Sequence, residues 1–389
     1  MTKKKSNSAA NIDIASAIGD LISNTKKGKT SIGKYISTLE NSIYSDINEY
    51  IDTGSFALNR LISGTIFGGI PSGRVISFYG DSGVGKSFAA GKAIKKAQEM
   101  NYMVLYYDSE NAITKLFASN IGIDPSLVSY TPIDEISDFK NHVLNEVPKI
   151  QDKYPGIKIM IVLDSLGNLS CAQEKAFIEK GTNSVTQGAR EREIKSMLKE
   201  LTKFCGLHQI PFIFTNHSIK PQDTAMLPKY VKDKQGGGKQ ATYMASATIL
   251  MSKRKLKKED ASSEDKKTTD DKKKAGSILT CESTKNRLCQ EEEKIELYLS
   301  FASGLNKYYG LAPDAVAAGC FEKINEKNYF VKHLDKKVNI ADLYNKVVFT
   351  DEVLKQIDDY CKDAYAYSKA FQDDEDALDE ELKDILTDE

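Results

Sequence analysis

None of the six cysteines, at 171, 205, 281, 289, 320 and 361, stands in a C-x-x-C pair, and none is spaced with a histidine as zinc requires. These absences exclude a zinc ribbon and a dithiol redox motif, and they predict idle, reduced thiols in a cytoplasmic protein. No stretch reaches the about 18 apolar residues that a membrane helix needs. The lysines of "MTKKKSNSAANID" are followed by no apolar segment of signal-peptide length. The chain is therefore expected to be neither secreted nor membrane-spanning. Excess charge is missing too: 54 Lys and Arg against 55 Asp and Glu give a net charge of −1, hence no global nucleic-acid footprint. That average conceals a mixed but basic block at 253–274 and an acidic stretch at 373–389.

At 389 residues, 40% of them apolar, the chain can fill a substantial core, as one large α/β domain with appendages or about two ordinary domains. Residues 1–50 begin polar and continue in two weakly amphipathic pieces, "IDIASAIGDLIS" and "IGKYISTLENSI", which predict helical segments of an arm or small cap. From "RVISFYG" onward, short β-branched runs ("YMVLYYD", "IKIMIVLD", "IPFIFTN") alternate with helical stretches such as 134–153 and 187–208. That alternation predicts a mostly parallel, twisted sheet with helices on both faces. "YMASATILMSKR", "GSILTCES" and "EKIELYLSF" read as antiparallel additions, with the charged insert between the first two a solvated hairpin loop. The expected division is an N-terminal region at 1–50, a core at 51–310, a small helical C-terminal region at 311–371 and an acidic tail at 372–389.

"GDSGVGKS" at 80–87 follows the strand-like "RVISFY" and precedes the helix-like "FAAGKAIKKAQEM", the context a phosphate-binding P-loop requires. Gly80, Gly83 and Gly85 let main-chain N–H groups converge on phosphate at a helix N-terminus, with Asp81, Ser82 and Val84 between them. Lys86 is expected on the β- and γ-phosphates of ATP and Ser87 on Mg²⁺. Asp164, closing the apolar "IKIMIVLD", is the carboxylate expected near that metal. Hydrolysis also needs a group that orients water. Asp108 and Glu110 reach the same sheet edge, Glu110 further toward the crevice, and the chemistry alone leaves both open.

These stretches, with "IDTGSFALNRLISG", "GIPSGRV", "YYDSENAI", "VLDSLGNL", "FTNHS", "QGGGKQATYMAS" and "ESTKNRL", resemble in order the RecA family of homologous-recombination ATPases, and most closely its bacteriophage branch, the UvsX recombinases. The resemblance covers roughly residues 50–310 and implies a RecA-type P-loop core. It places the water-activating glutamate on Glu110, 24 residues after Lys86, and the Mg²⁺-associated aspartate on Asp164. Phe117 falls where the family commonly stacks a tyrosine on adenine, and His217 where a γ-phosphate sensor, usually glutamine, stands. Lys285 and Arg287 fall on two cations that reach a neighbouring protomer's ATP, and Tyr243 on an aromatic of that interface.

The resemblance also implies two DNA-binding loops, near 170–188 and 218–238. The first leads to Arg190 and Arg192; the second carries Lys220, Lys229, Lys232 and Lys234 and ends at Gly236, Gly237 and Gly238. Those glycines read as a hinge, with a strand expected directly after them. The implied activity is that of a DNA-dependent ATPase. It would form a helical filament on single-stranded DNA, pair it with duplex DNA and exchange strands in phage recombination, repair and recombination-dependent replication, in the cytoplasm of a bacterial host. Residues 1–50 would dock on the neighbouring protomer, and a single-strand-binding protein and a mediator are the expected partners. The alternatives are a hexameric replicative helicase of the same fold and a non-hydrolysing mediator.

Overall fold

The computed structural model describes residues 14–28, 32–111, 113–175, 188–219, 234–236, 239–256 and 276–366. They fall in two units, residues 1–46 and 47–389. In the first, α1 (Ile14–Lys27) ends on Lys26 and Lys27, where cations complement the helix dipole. The second amphipathic piece, expected to be helical, forms only a 3₁₀ turn at Ile32–Lys34. Small polar side chains in it and just after it satisfy the local backbone and one another instead, as Asn41 Nδ2 does on Thr38 Oγ1 at 2.9 Å and Ser45 Oγ on the Ser42 carbonyl at 2.8 Å, a competition that disfavours helix.

The second unit opens with β1 (Tyr50–Ile51), α2 (Phe56–Ser63) and β2 (Ile70–Pro71). Ser55 caps α2 by accepting from Leu58 N, and Gly64 ends it in the left-handed conformation. The alternating layer follows as β3 (Val75–Gly80), α3 (Lys86–Glu99), β4 (Tyr102–Asp108), α4 (Lys115–Ile121), β5 (Val128–Pro132) and α5 (Ile136–Lys153). It continues with β6 (Lys158–Asp164), α6 (Ala189–His208), β7 (Phe212–Ile219), β8 (Lys234–Gln235) and α7 (Lys239–Met244). Strands β9 (Ala247–Lys255), β10 (Gly276–Asn286), β11 (Lys294–Ser300) and β12 (Gly304–Leu305) complete one sheet in the order β12-β11-β10-β9-β3-β7-β6-β4-β5. Pairing is parallel from β9 through β5 and antiparallel from β9 to β12, as the sequence pattern predicts.

Side chains alternate across this sheet with the strand period of two. Met160, Val162, Val104 and Tyr106 enter the core beneath α2 and α3, while Ile159, Ile161, Leu163, Leu105 and Tyr107 enter the core beneath α5 and α6. All six cysteines are free and buried, and burial pushes the Cys281 and Cys361 thiols up to about 12. No helix among the described residues is long and apolar enough to cross a membrane.

Beyond residue 310 the expectation of a helical region needs correction. Helices α8 (Ala312–Ala317), α9 (Ile340–Leu343) and α10 (Asp351–Ala364) enclose an antiparallel sheet of β13 (Phe321–Asn325), β14 (Asn328–Val331) and β15 (Lys336–Asn339). Its strands are short and bury few residues (Phe321, Tyr329, Val331 and Val338), so polar positions dominate and mask the period. The region shares the core of α2 through Leu354, Ile357 and Cys361. It is also pinned by charge. The Arg60 guanidinium lies 3.0 Å from Asp314 and 4.3 Å from the centre of the Tyr365 ring, and Tyr365 OH donates to Asp314 at 3.1 Å. Arg60 and Asp314 are both buried. Asp314→Ala therefore takes away the nearer of two carboxylates and leaves the buried cation only the half-exposed Glu293 at 3.7 Å, with an expected loss of about 3 kcal/mol in urea unfolding.

Candidate active site

Parallel strands bring their carboxyl ends to one edge, and the register there places Gly80 beside His217 and Asp108 beside Asp164. Gly80 leaves β3 at φ +152°, and a Cβ on it would meet the Met251 carbonyl at 2.1 Å, so only glycine fits. The loop then feeds α3, whose first main-chain N–H groups face the crevice with the positive end of the dipole. Lys86 Nζ, largely buried, donates to the carbonyls of Gly80 at 3.0 Å and Asp81 at 2.8 Å. Burial lowers its pKa, while the charges of Glu110, Asp164 and Asp81 oppose that shift.

Asp164 is buried, with Oδ2 accepting from Tyr106 OH at 2.8 Å and Oδ1 from the Thr215 hydroxyl. Burial, reinforced by the Asp164 charge, holds the Tyr106 phenol far above its ordinary pKa, so it stays a donor. Asp108 and Glu110, which the sequence left open, take different positions. The Asp108 carboxylate accepts from Glu110 N at 2.9 Å, Ile113 N at 3.4 Å and Tyr130 OH at 3.1 Å, which shapes the loop. Glu110 Oε1 instead meets His217 Nε2 at 2.8 Å and the Ser165 hydroxyl. Ser87 lies in the first turn of α3, and Phe117 in the first turn of α4, half-buried against the core.

His217 is also where the second predicted loop is rooted. Its carbonyl accepts from Gly236 N at 2.9 Å, and Asn216 Nδ2 donates to the Gly236 carbonyl at 2.7 Å. Strand β8 pairs antiparallel with the end of β7, Ser218 opposite Gln235 and Ile219 opposite Lys234. A Cβ on Gly236 would lie 3.2 Å from the His217 carbonyl, tighter than ordinary contact. Ser218 Oγ donates to Asp81 Oδ1 at 2.5 Å, and Gln235 Nε2 to Ser77 Oγ at 2.6 Å, so the loop root is tied to the phosphate loop and its strand.

Two expectations change here, for the segment after the glycines and for Arg190. The segment after the glycines is helix α7, not a strand. Its carboxyl end is held by Lys285 Nζ, which donates to the carbonyls of Thr242, Tyr243 and Ala245 at 2.8, 2.8 and 2.6 Å, and by Arg287 Nη2 on Tyr243 O at 3.0 Å. A cap supplied from β10 overrides the β-branched look of the sequence. Lys285 and Arg287 thus bind their own chain in this protomer. Arg190, expected on DNA, spends its guanidinium on the carbonyls of Leu166, Gly167 and Leu169 at 3.3, 2.5 and 2.8 Å and braces the root of the first loop. Arg192 is exposed on α6. Lys220, Lys229, Lys232, Gly237 and Gly238 lie outside the described residues, as do most of the first loop and of the insert.

Sequence reasoning missed Tyr106, Thr215 and Ser218. Each acts across a strand pair or from the phosphate loop to β7, contacts that a linear pattern does not announce.

A sequence profile described as the RecA N-terminal domain matches residues 14–305. The recombination and repair protein of Enterobacteria phage T4 is 27% identical over 316 residues, 79% of this chain and 74% of its own length. Protein RecA of Thermotoga maritima is 23% identical over 294 residues, 75% of each chain. Protein RecA of a Nitratiruptor species is 31% identical over 169 residues, 43% of this chain and 45% of its own. The profile match begins further toward the amino end than the motif resemblance does.

Proposed function

Because the chain belongs to the RecA family, we propose that it is a DNA-dependent ATPase that polymerises on single-stranded DNA and exchanges strands with homologous duplex. The observation that carries this reading is the meeting of Glu110, Ser165 and His217 beside the phosphate loop, with His217 also forming the root of the second loop. In this reading one side chain both feels phosphate and moves a DNA-binding segment.

In this reading the N–H groups of 80–87 hold the triphosphate, and Lys86 exchanges its two loop carbonyls for phosphate oxygens. Among the described residues no cluster of three or more His, Cys, Asp and Glu could hold a metal alone. Ser87 and Asp164 fit a Mg²⁺ that takes its other ligands from phosphate and water, since each Asp164 oxygen accepts a hydrogen bond and keeps a lone pair. When bound, that ion offsets charge on the phosphates. Glu110 orients and deprotonates the attacking water once His217 turns from it toward phosphate. Phe117 stacks on the base, while Lys285 and Arg287 serve the neighbouring protomer's nucleotide. Arg192 and the lysines of the second loop contact the DNA backbone. The defining experiment is strand exchange between circular single-stranded and linear duplex DNA with ATP. Wild type should give joint molecules and Lys86→Ala none; closed six-membered rings under the electron microscope would instead favour a helicase.

Lys285 adds a pH dependence. Burial first, then the Arg287 charge, lowers its pKa from 10.5 to about 8. Below about 8 the ammonium is charged in folded and unfolded chains alike and the burial penalty is in force. Between about 8 and 10.5 the folded chain has released a proton that the unfolded chain retains, so stability rises with pH. Assembly runs the other way, because a neighbour's triphosphate needs the charged form. Filament affinity should therefore fall above pH about 8, by at most about tenfold per pH unit, and Lys285→Arg should abolish that fall in light-scattering titrations.

A further inference from the structure

The face of the sheet beneath α3 and α4 leaves a cavity of about 310 Å³. Ile94, Ile113, Ala118 and Val128 line it with the rings of Tyr106 and Tyr130, and it opens to solvent at Tyr130, which is 45% exposed. Those two residues pair in register on adjacent strands, their rings stacked 14° from parallel with centroids 6.2 Å apart, so together they form one aromatic wall. Their hydroxyls are committed to carboxylates, Tyr106 to Asp164 at 2.8 Å and Tyr130 to Asp108 at 3.1 Å, which leaves apolar ring surface to a guest. Lys115, the charged residue of the wall, is exposed and can keep its ammonium in water.

We propose that this cavity binds a planar, uncharged aromatic molecule of one or two fused rings, and that its occupation lowers ATP turnover. An uncharged ring gains offset stacking on the tyrosines, whereas a charged guest would lose hydration with little to replace it. The guest would rest one side chain away from both acids. Tyr106 leads to Asp164, while Tyr130 and Ile113 lead to Asp108, whose carboxylate fixes the main chain of Glu110. The effect on turnover rests on the roles proposed above for Asp164 and Glu110; the binding itself does not.

The chain contains no tryptophan, so indole emission reports occupancy without tryptophan background. Indole titrated into the full chain should bind saturably, with equal affinity in the presence of excess ADP. Ala118→Leu fills the space and should weaken binding about tenfold or more while the circular dichroism stays native. If that variant does not fold, Val128→Phe on the edge strand serves the same purpose. Saturating indole should lower DNA-stimulated hydrolysis about fivefold in wild type and leave the filled variant unaffected. Non-saturable uptake, displacement by ADP, or undiminished binding to a folded filled variant would overturn the site. Binding without any change in turnover would overturn the coupling. Saturable binding to a protein that hydrolyses no ATP would support the site and count against the ATPase reading.

Discussion

Glu110→Gln should lower ATP turnover on single-stranded DNA by about 100- to 10 000-fold, the worth of a positioned general base. Nucleotide binding should survive, because the phosphate loop does not depend on Glu110: Gly80 is fixed by its fit against Met251, and Lys86 is held by two loop carbonyls. Glutamine is nearly isosteric and can still face His217 and Ser165, so the loss isolates the acid–base role from packing. Single-turnover hydrolysis alongside fluorescent-nucleotide binding reads the two effects separately. Equal loss of both would assign Glu110 to binding. Asp108→Asn should behave differently, since that carboxylate accepts two main-chain N–H groups and one hydroxyl. Asparagine keeps one acceptor oxygen, so the loop loosens and both affinity and turnover should drop modestly.

Arg287→Ala should lower turnover by about 10³–10⁵, the range for a cation that neutralises transferring phosphate from outside the site. The neighbour hypothesis makes a sharper demand. An Arg287→Ala protomer has an intact phosphate loop, and a Lys86→Ala protomer has intact cations. In a one-to-one mixed filament about one junction in four joins the two intact halves, so about a quarter of wild-type turnover should return from two dead proteins. A mixture as inactive as its components would confine Arg287 to holding α7 within its own chain, where it bonds the Tyr243 carbonyl.

Much of this architecture can be read in the sequence because it is local. Buried parallel strands such as "YMVLYYD" and "IKIMIVLD" are near-continuous apolar runs, and β4 and β6 coincide with them. The phosphate loop needs only its glycines, its lysine and the flanking elements. What the sequence hides depends on partners distant along the chain. Helix α7 exists with its carboxyl end capped by a lysine about forty residues on, and no propensity reveals that. Arg190 looks like a DNA contact until the carbonyls of 166–169 are seen to occupy it. The tyrosines beneath Asp164 and Asp108 look like ordinary strand aromatics, because their hydroxyls reach carboxylates of other segments.

The ring of Tyr365 over Arg60, with its hydroxyl on Asp314, decides where the chain tolerates a cut. A protease or a stop codon acting just beyond 366 removes the acidic tail and leaves every one of those contacts in place. Moved two residues inward, the same cut strips a buried guanidinium of its aromatic cover and frees the end of α10 from the Gln290 main chain. Tail-deletion variants made at the two positions would therefore report different things: the first on the tail, the second on a loosened C-terminal region.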